Sequence, residues 1–163
     1  MKDRLAGEPA WRHPVDDEAA VRDLAAVFAD AVRPPMVIYL RGDLGAGKTT
    51  FARAYIHALG FEGYVKSPSY GLLEIYQVDG QCVLHLDLYR IEDPEELEYL
   101  AIRDQFDKHT VLLVEWPDRG GNRLPAPDIA LYFADQGATR IIECEPCSPE
   151  GSELASRVLR DIR

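Results

Sequence analysis

Apolar positions along this chain of 163 residues follow two spacings. From Val21 to Val32 they recur at steps of three and four, which predicts a helix with one apolar face. Asp16 or Asp17 would cap its N-terminus, and the two prolines after Arg33 would end it. Elsewhere apolar residues alternate with polar ones or form short β-branched runs, as strands do. The predicted strands cover residues 11–15, 36–40, 72–78, 82–88, 110–114, 128–133 and 139–143, the last two as edge strands.

Three more helices follow from capping residues and apolar spacing. One covers residues 49–59 and stops at Gly60. A short one begins at residues 93–96, where Asp-Pro-Glu-Glu combines an N-cap, a proline in the first turn and a capping-box acid. The last begins at Ser148-Pro149. The apolar faces of the last two helices comprise Leu97, Leu100, Ala101 and Phe106, and Leu154, Val158 and Leu159.

Three segments predict connections. Asp79-Gly80 is a strong hairpin signal between two strands. Residues 117–127 contain three prolines and two glycines, which predicts an irregular loop. Residues 63–71, G-Y-V-K-S-P-S-Y-G, form either a plain surface loop or a switch loop whose hydroxyl group reaches a bound phosphate or its metal.

The strand at residues 36–40 leads into a glycine-rich segment with the spacing G-x-x-x-x-G-K-[ST], and a predicted helix follows it. Its glycines let the backbone turn tightly and point N–H groups at phosphates, and the helix N-terminus favours the same anion. Lys48 would reach the β- and γ-phosphates, and the Thr49 hydroxyl would ligate Mg2+. The segment therefore predicts binding of a nucleoside triphosphate. Its candidate binding residues are Gly42, Asp43, Leu44, Gly45, Ala46, Gly47, Lys48, Thr49 and Thr50.

Two carboxylates stand at the ends of predicted strands. Asp87 lies in H-L-D-L-Y-R, and Glu115 follows the β-branched run that starts at residue 110. A carboxylate at such a position holds Mg2+ or orients an attacking water. The alternatives are a helix cap for Asp87, a role that Asp93 fits better, and the start of a solvent loop for Glu115. Both acids remain candidates for one magnesium-ligand role.

Other polar residues have two interpretations. The corner at residues 15–18, which contains Glu18, either caps the first helix or contacts the nucleotide base. Arg140 is either a solvated strand residue or a base or ribose contact. Cys144 and Cys147 form a C-x-x-C without the second pair or nearby histidine that a four-ligand zinc site needs. The histidines show no ligand spacing, so His85 is expected to be packed or hydrogen-bonded.

Composition restricts the partners. The length and 47% apolar content fit one core, so residues 1–163 are expected to form a single domain. A net charge of -10 argues against stand-alone binding of nucleic acid, and any RNA would be held by a more basic partner. The charged N-terminal residues do not resemble a secretory leader, and no apolar stretch is long enough for a membrane span. Together with the odd number of cysteines, three, this predicts a cytoplasmic protein.

Four motifs, in order, resemble the bacterial TsaE (YjeE) family: G-D-L-G-A-G-K-T-T-F, K-S-P-S-Y, H-L-D-L-Y-R-I-E-D-P-E-E-L-E and V-E-W-P. The resemblance covers nearly the whole chain. That family is the ATPase component of the machinery that makes threonylcarbamoyladenosine beside the tRNA anticodon. The resemblance implies an α/β P-loop NTPase fold, a three-layer sandwich with a mixed, mainly parallel central sheet and antiparallel edge strands. It also implies weak Mg2+-dependent ATP hydrolysis, association with TsaB and TsaD, and contact with tRNA only through these partners.

By position, the resemblance assigns catalytic roles to three residues: Lys48 contacts the phosphates, Asp87 orients or activates water, and Glu115 holds the metal together with Thr49. Trp116 is expected near the nucleotide. The sequence departs from the family pattern in the switch segment, where Ser69 keeps a hydroxyl but Gly71 lacks one, which puts a two-hydroxyl switch in doubt.

Two other functions are consistent with the same loop. One is a small-molecule kinase, which would need an acceptor pocket and an arginine-bearing lid. The other is a nucleotide-gated binding module that acts without hydrolysis. The candidate lid arginines are Arg90, Arg103, Arg119 and Arg123.

Overall fold

The computed structural model describes residues 7–69, 71–78 and 80–162. Within these residues the strands are β1 (Trp11–Pro14), β2 (Met36–Gly42), β3 (Leu73–Val78), β4 (Gln81–Asp87), β5 (Thr110–Glu115), β6 (Ile129–Gln136) and β7 (Thr139–Pro146). The α-helices are α1 (Glu18–Ala31), α2 (Lys48–Ala58), α3 (Ile102–Gln105) and α4 (Pro149–Ile162). Two 3-10 helices cover Pro94–Leu100 and Pro117–Arg123.

The strands of the described residues form one sheet in the order β1-β7-β6-β2-β5-β4-β3. The four central strands, β6, β2, β5 and β4, are parallel, whereas β7, β1 and β3 pair antiparallel with their neighbours. This mixed sheet with antiparallel flanks confirms the expected fold class. The strands predicted at residues 128–133 and 139–143 are not edge strands, because β6 pairs with β2 and β7 pairs with β1. Ile129, Ala130 and Leu131 are all buried, as expected for a strand covered on both faces.

Helices cover both faces of the sheet. On one face, α1, α2 and α4 pack over a core that includes a row of edge-to-face aromatic pairs, Trp11–Phe28, Phe28–Phe51 and Phe51–Phe133, with ring centroids 6.2, 5.4 and 5.9 Å apart. On the other face the two 3-10 helices and α3 cover a smaller apolar cluster. Sheet and helices therefore form the three layers of the sandwich.

The structure corrects two further predictions. Ala101 was expected on the apolar face of one short helix, but it is exposed with a left-handed backbone (φ 50°) and separates two helices, so Ile102 is buried instead. Residues 117–127 were expected to be irregular, but Pro117–Arg123 forms a 3-10 helix that is interrupted at Gly121, where φ is 53°. Tight packing against the sheet stabilises turns that composition alone does not predict.

Other predictions are confirmed or fall outside the described residues. Asp17 caps α1, since its side chain accepts a hydrogen bond from the Ala20 N–H, and Asp93 caps the first 3-10 helix in the same way. The β3–β4 pairing extends to Val78 opposite Gln81, although Asp79 of the turn lies outside the described residues, as do Tyr70 and residues 1–6. Among the helices of the described residues, none has the length and apolar character that a membrane span requires.

Candidate nucleotide-binding site

The loop between β2 and α2 has the backbone of a phosphate-binding loop. Gly42 has φ 143° and lies opposite Phe133 of β6, where an added Cβ would be 2.6 Å from the Phe133 carbonyl oxygen. Gly47 has φ 111° and is the N-cap residue of α2. Because glycine has no side chain, it cannot accept a hydrogen bond from the first N–H groups of that helix. Such a helix N-terminus attracts anions through its N–H groups and its dipole.

Lys48, the first residue of α2, is buried beneath this loop with 4% of its surface exposed. Its Nζ donates hydrogen bonds to the carbonyl oxygens of Gly42 (2.5 Å) and Asp43 (2.7 Å) and lies 4.3 Å from the centre of the Trp116 ring. Burial lowers the pKa of Lys48, and the carboxylates of Glu115 and Asp87 partly oppose that shift. An anion bound at the loop would therefore lie near the ammonium group of Lys48, which the carbonyl oxygens of Gly42 and Asp43 hold in position.

The Thr49 hydroxyl and the Glu115 carboxylate meet at the centre of the site. Oγ1 of Thr49 donates a hydrogen bond of 2.7 Å to Oε1 of Glu115. The second carboxylate oxygen, Oε2, lies 2.8 Å from Nε2 of His85. Glu115 is 2% exposed, so both of its oxygens are engaged inside the protein.

The register of two parallel strands places Asp87 beside Glu115. The two residues are opposite each other at the carboxyl ends of β4 and β5. Side chains of neighbouring strands in register point to the same face of a sheet, and residues two apart on one strand share that face as well. Asp87, Glu115 and His85 therefore all lie on the sheet face that α2 covers.

Asp87 has hydrogen-bond partners different from those of Glu115. Its Oδ1 accepts from the Tyr89 N–H at 3.1 Å and its Oδ2 from the Ser69 hydroxyl at 3.3 Å. The Ser69 Oγ lies in turn 2.7 Å from that of Ser67, so the segment after α2 reaches the site through its hydroxyl groups. Burial raises the pKa of Asp87, and the nearby charge of Glu115 raises it further.

These groups line one cleft of about 380 Å3. The sequence-predicted residues that line it are Glu18, Leu44, Gly45, Gly47, Lys48, Thr49, Thr50, Ser69, Asp87, Glu115, Trp116 and Arg140. Gly42, Asp43 and Ala46 are not among its lining residues, although two of them accept hydrogen bonds from Lys48. Glu18 is paired with Arg22 on α1 at 3.2 Å, and Arg140 with Asp135 at 3.3 Å.

Sequence reasoning missed two residues of the cleft, Val21 and Tyr89, whereas Asp17 belongs to the corner that it offered as a base contact. It also missed the contact between His85 and Glu115, although the H-x-D spacing places His85 on the face of Asp87. Of the four candidate lid arginines, Arg90 lines the cleft, whereas Arg103 and Arg123 line a separate cavity of about 560 Å3 beside the two 3-10 helices.

An aromatic pair closes one side of the cleft. The rings of Tyr89 and Trp116 lie 5.1 Å apart, and the guanidinium of Arg119 is 5.3 Å from the Tyr89 ring. Trp116 has a left-handed backbone, with φ 57°, between Glu115 at the end of β5 and the second 3-10 helix. This turn directs the chain away from the sheet and keeps the indole beside the ammonium of Lys48.

Fold and site together define a P-loop NTPase fold: a parallel central sheet, a glycine-rich loop that leads into a helix, and carboxylates at the ends of adjacent strands. The family model described as "Threonylcarbamoyl adenosine biosynthesis protein TsaE" matches residues 15–142. This chain belongs to the TsaE family.

Similar proteins agree with this assignment. The chain is 49% identical over 129 residues to the tRNA threonylcarbamoyladenosine biosynthesis protein TsaE of Haemophilus influenzae, with 74% of this chain and 82% of that protein covered. It is 38% identical over 128 residues to the protein of the same name in Bacillus subtilis, with 78% of each covered. A crystal structure of YdiB from Bacillus subtilis has the same fold, with a TM-score of 0.75 and 23% identity, covering 94% of this chain and 96% of that chain.

Proposed function

We propose that this protein binds ATP with Mg2+ and hydrolyses it in support of the threonylcarbamoyladenosine modification of tRNA. Membership of the TsaE family supports the pathway, since the relatives in Haemophilus influenzae and Bacillus subtilis carry that biosynthetic name. Partners of the TsaB and TsaD type would bring the tRNA, because a chain with a net charge of -10 lacks the surplus of cations that phosphate contacts need. We place this activity in the cytoplasm.

The contact between Thr49 and Glu115 carries the proposal of a magnesium-dependent reaction. Mg2+ prefers oxygen ligands and is usually held by one or two protein groups together with substrate phosphates. A hydroxyl and a buried carboxylate 2.7 Å apart, at the N-terminus of α2, supply such oxygens where phosphates would bind. These residues fit the ion, which would neutralise charge on the phosphates when it is bound.

The remaining residues have separate tasks in this proposal. Loop N–H groups and Lys48 bind the phosphates and neutralise their charge. Asp87, whose oxygens are oriented by Ser69 and Tyr89, accepts a hydrogen bond from the attacking water and holds it in line. Glu18, the first residue of α1, and Arg140 on β7 line the cleft and would contact the base or ribose.

The test combines the purified protein with TsaB and TsaD from the same source and ATP, and measures complex formation and phosphate release. We expect Mg2+-dependent phosphate release that the partners increase and that Lys48→Ala abolishes. Absence of phosphate release, with and without partners, would refute the hydrolase proposal.

The same experiment separates the two alternatives. A kinase would form ADP in proportion to a phosphorylated small molecule rather than free phosphate. A nucleotide-gated binding module would assemble with its partners in ATP and modify tRNA equally well when Asp87→Asn has removed hydrolysis.

A further inference from the structure

His85 lies two residues before Asp87 on β4 and is completely buried. Its Nε2 is 2.8 Å from Oε2 of Glu115, and its Nδ1 has no hydrogen-bond partner within the described part of the chain. A buried polar nitrogen without a partner is uncommon, because most buried polar groups are hydrogen-bonded. This side chain therefore makes one polar contact, and that contact is to the proposed metal ligand.

The geometry places a proton on one nitrogen of the ring. Two acceptors cannot form a hydrogen bond with each other, so the 2.8 Å contact requires a proton between Nε2 and Oε2. A ring that carries a proton on Nε2 satisfies this condition.

We propose that His85 is a positioning residue: its Nε2–H fixes one oxygen of Glu115, so that the other oxygen stays at Thr49 in the geometry that binds Mg2+. Glu115 then accepts one hydrogen bond at each oxygen, from groups on two different elements, and cannot rotate without losing both. Partners of this kind orient metal ligands, and their loss typically weakens metal binding by about 10- to 100-fold. The inference rests on the proposed function, since it concerns the metal of that site.

The test compares three substitutions of His85 that differ in whether the new side chain can place an N–H donor beside Oε2 of Glu115. His85→Gln carries an amide N–H at about the distance of Nε2 from the backbone, His85→Asn carries it one bond closer, and His85→Leu has none. The readout is the gain in affinity for a non-hydrolysable ATP analogue when Mg2+ replaces EDTA, measured by calorimetry. We expect His85→Asn and His85→Leu to reduce this gain about tenfold, whereas His85→Gln stays within about threefold of the wild type. Affinity in EDTA should be unchanged in all three.

The outcomes distinguish the two proposals. If the wild type gains affinity with Mg2+ and His85→Asn gains as much, His85 does not position Glu115, and the proposed function stands. If the wild type shows no gain, both proposals fail.

A second measurement needs no variant. The 15N chemical shifts of the imidazole nitrogens in the wild-type protein report the tautomer directly, and we expect the pattern of a proton on Nε2. A proton on Nδ1 alone would overturn the inference, because Nε2 could then not donate to Glu115.

Discussion

Thr49 and Glu115 are 66 positions apart in the chain, yet Oγ1 of one donates a hydrogen bond of 2.7 Å to Oε1 of the other. Thr49 lies in the first turn of α2 and Glu115 ends β5, so the contact joins the phosphate-binding loop to the neighbouring parallel strand. Because β2 lies between β5 and β6, the loop is held from both sides of the strand that leads into it. The geometry of the proposed metal site therefore depends on the pairing of β2 with β5.

Removing the hydroxyl of this pair should weaken metal binding specifically. In Thr49→Val the side-chain shape is kept and the oxygen is lost, so we expect the gain in ATP-analogue affinity from Mg2+ to fall at least about tenfold. Thr49→Ser is the matched control, because it retains the oxygen, and should bind almost as the wild type does. Equal gains in Thr49→Val and Thr49→Ser would contradict a role of this hydroxyl in metal binding.

Asp87 should matter for turnover more than for binding. In Asp87→Asn the carboxylate that we propose orients water is replaced by an amide of the same shape, so we expect partner-stimulated phosphate release to fall at least about 100-fold. Nucleotide affinity should remain within about threefold, because in the proposed function the loop and Lys48, not Asp87, bind the phosphates. Steady-state phosphate release and calorimetry measure the two quantities, and wild-type turnover by Asp87→Asn would defeat the assignment.

The pH dependence of stability should reveal the burial of Asp87. Since burial and the charge of Glu115 raise its pKa above the ordinary 3.8, the folded protein binds this proton more tightly than the unfolded chain does. The contribution of Asp87 to stability is therefore greatest below the ordinary pKa and is lost as the pH rises through the raised value. The side chain in Asp87→Asn cannot ionise. As the pH increases from the ordinary pKa through the raised pKa, the free energy of unfolding of this variant should therefore increase relative to that of the wild type. Denaturant titrations over a pH series measure this difference.

Asp107 provides a control of opposite sign for that experiment. Its carboxylate accepts hydrogen bonds from the His109 N–H and the Thr110 hydroxyl, which lower its pKa, the first of them most strongly. Its contribution to stability is present above the ordinary pKa and is lost as the pH falls through the lowered value. Asp107→Asn should therefore lose stability relative to the wild type as the pH rises through this lower window. If the free energy of unfolding relative to the wild type changed with pH in the same direction for both variants, a raised pKa of Asp87 would be contradicted.

Gly42 should tolerate no side chain. A Cβ at this position would lie 2.6 Å from the Phe133 carbonyl oxygen, and the backbone has φ 143°, so Gly42→Ala should destabilise the protein by at least about 2 kcal/mol. Gly71→Ala is the control, because among the described residues no atom beyond its chain neighbours lies within 4 Å of its added Cβ. Chemical denaturation compares the two variants, and equal stability would contradict the close approach of β2 and β6.

The glycine-rich turn between β2 and α2 could be predicted because its requirements are local. Glycines at fixed offsets, the lysine and the threonine are contiguous in the chain, and the strand and helix beside them follow from their own apolar spacing. Helix caps at Asp17 and Asp93 were predictable for the same reason, since a cap bonds within three residues of itself. The left-handed Ala101 was not, because a 3-10 helix and a following short helix are stabilised by packing on the sheet rather than by their own spacing.

The amino-acid sequence by itself determined the strands, the longer helices, the place of the glycine-rich loop and that Asp87 and Glu115 end strands, because side-chain spacing and backbone preferences act over a few residues. Only the tertiary structure decided that β6 lies inside the sheet and that Asp87 and Glu115 are neighbours in register. It also decided their hydrogen-bond partners, which are Thr49 and His85 for Glu115 and Ser69 for Asp87. Those relationships depend on the order and register of strands that are distant in the chain, and pairing between distant strands is selected by the packing of the whole core.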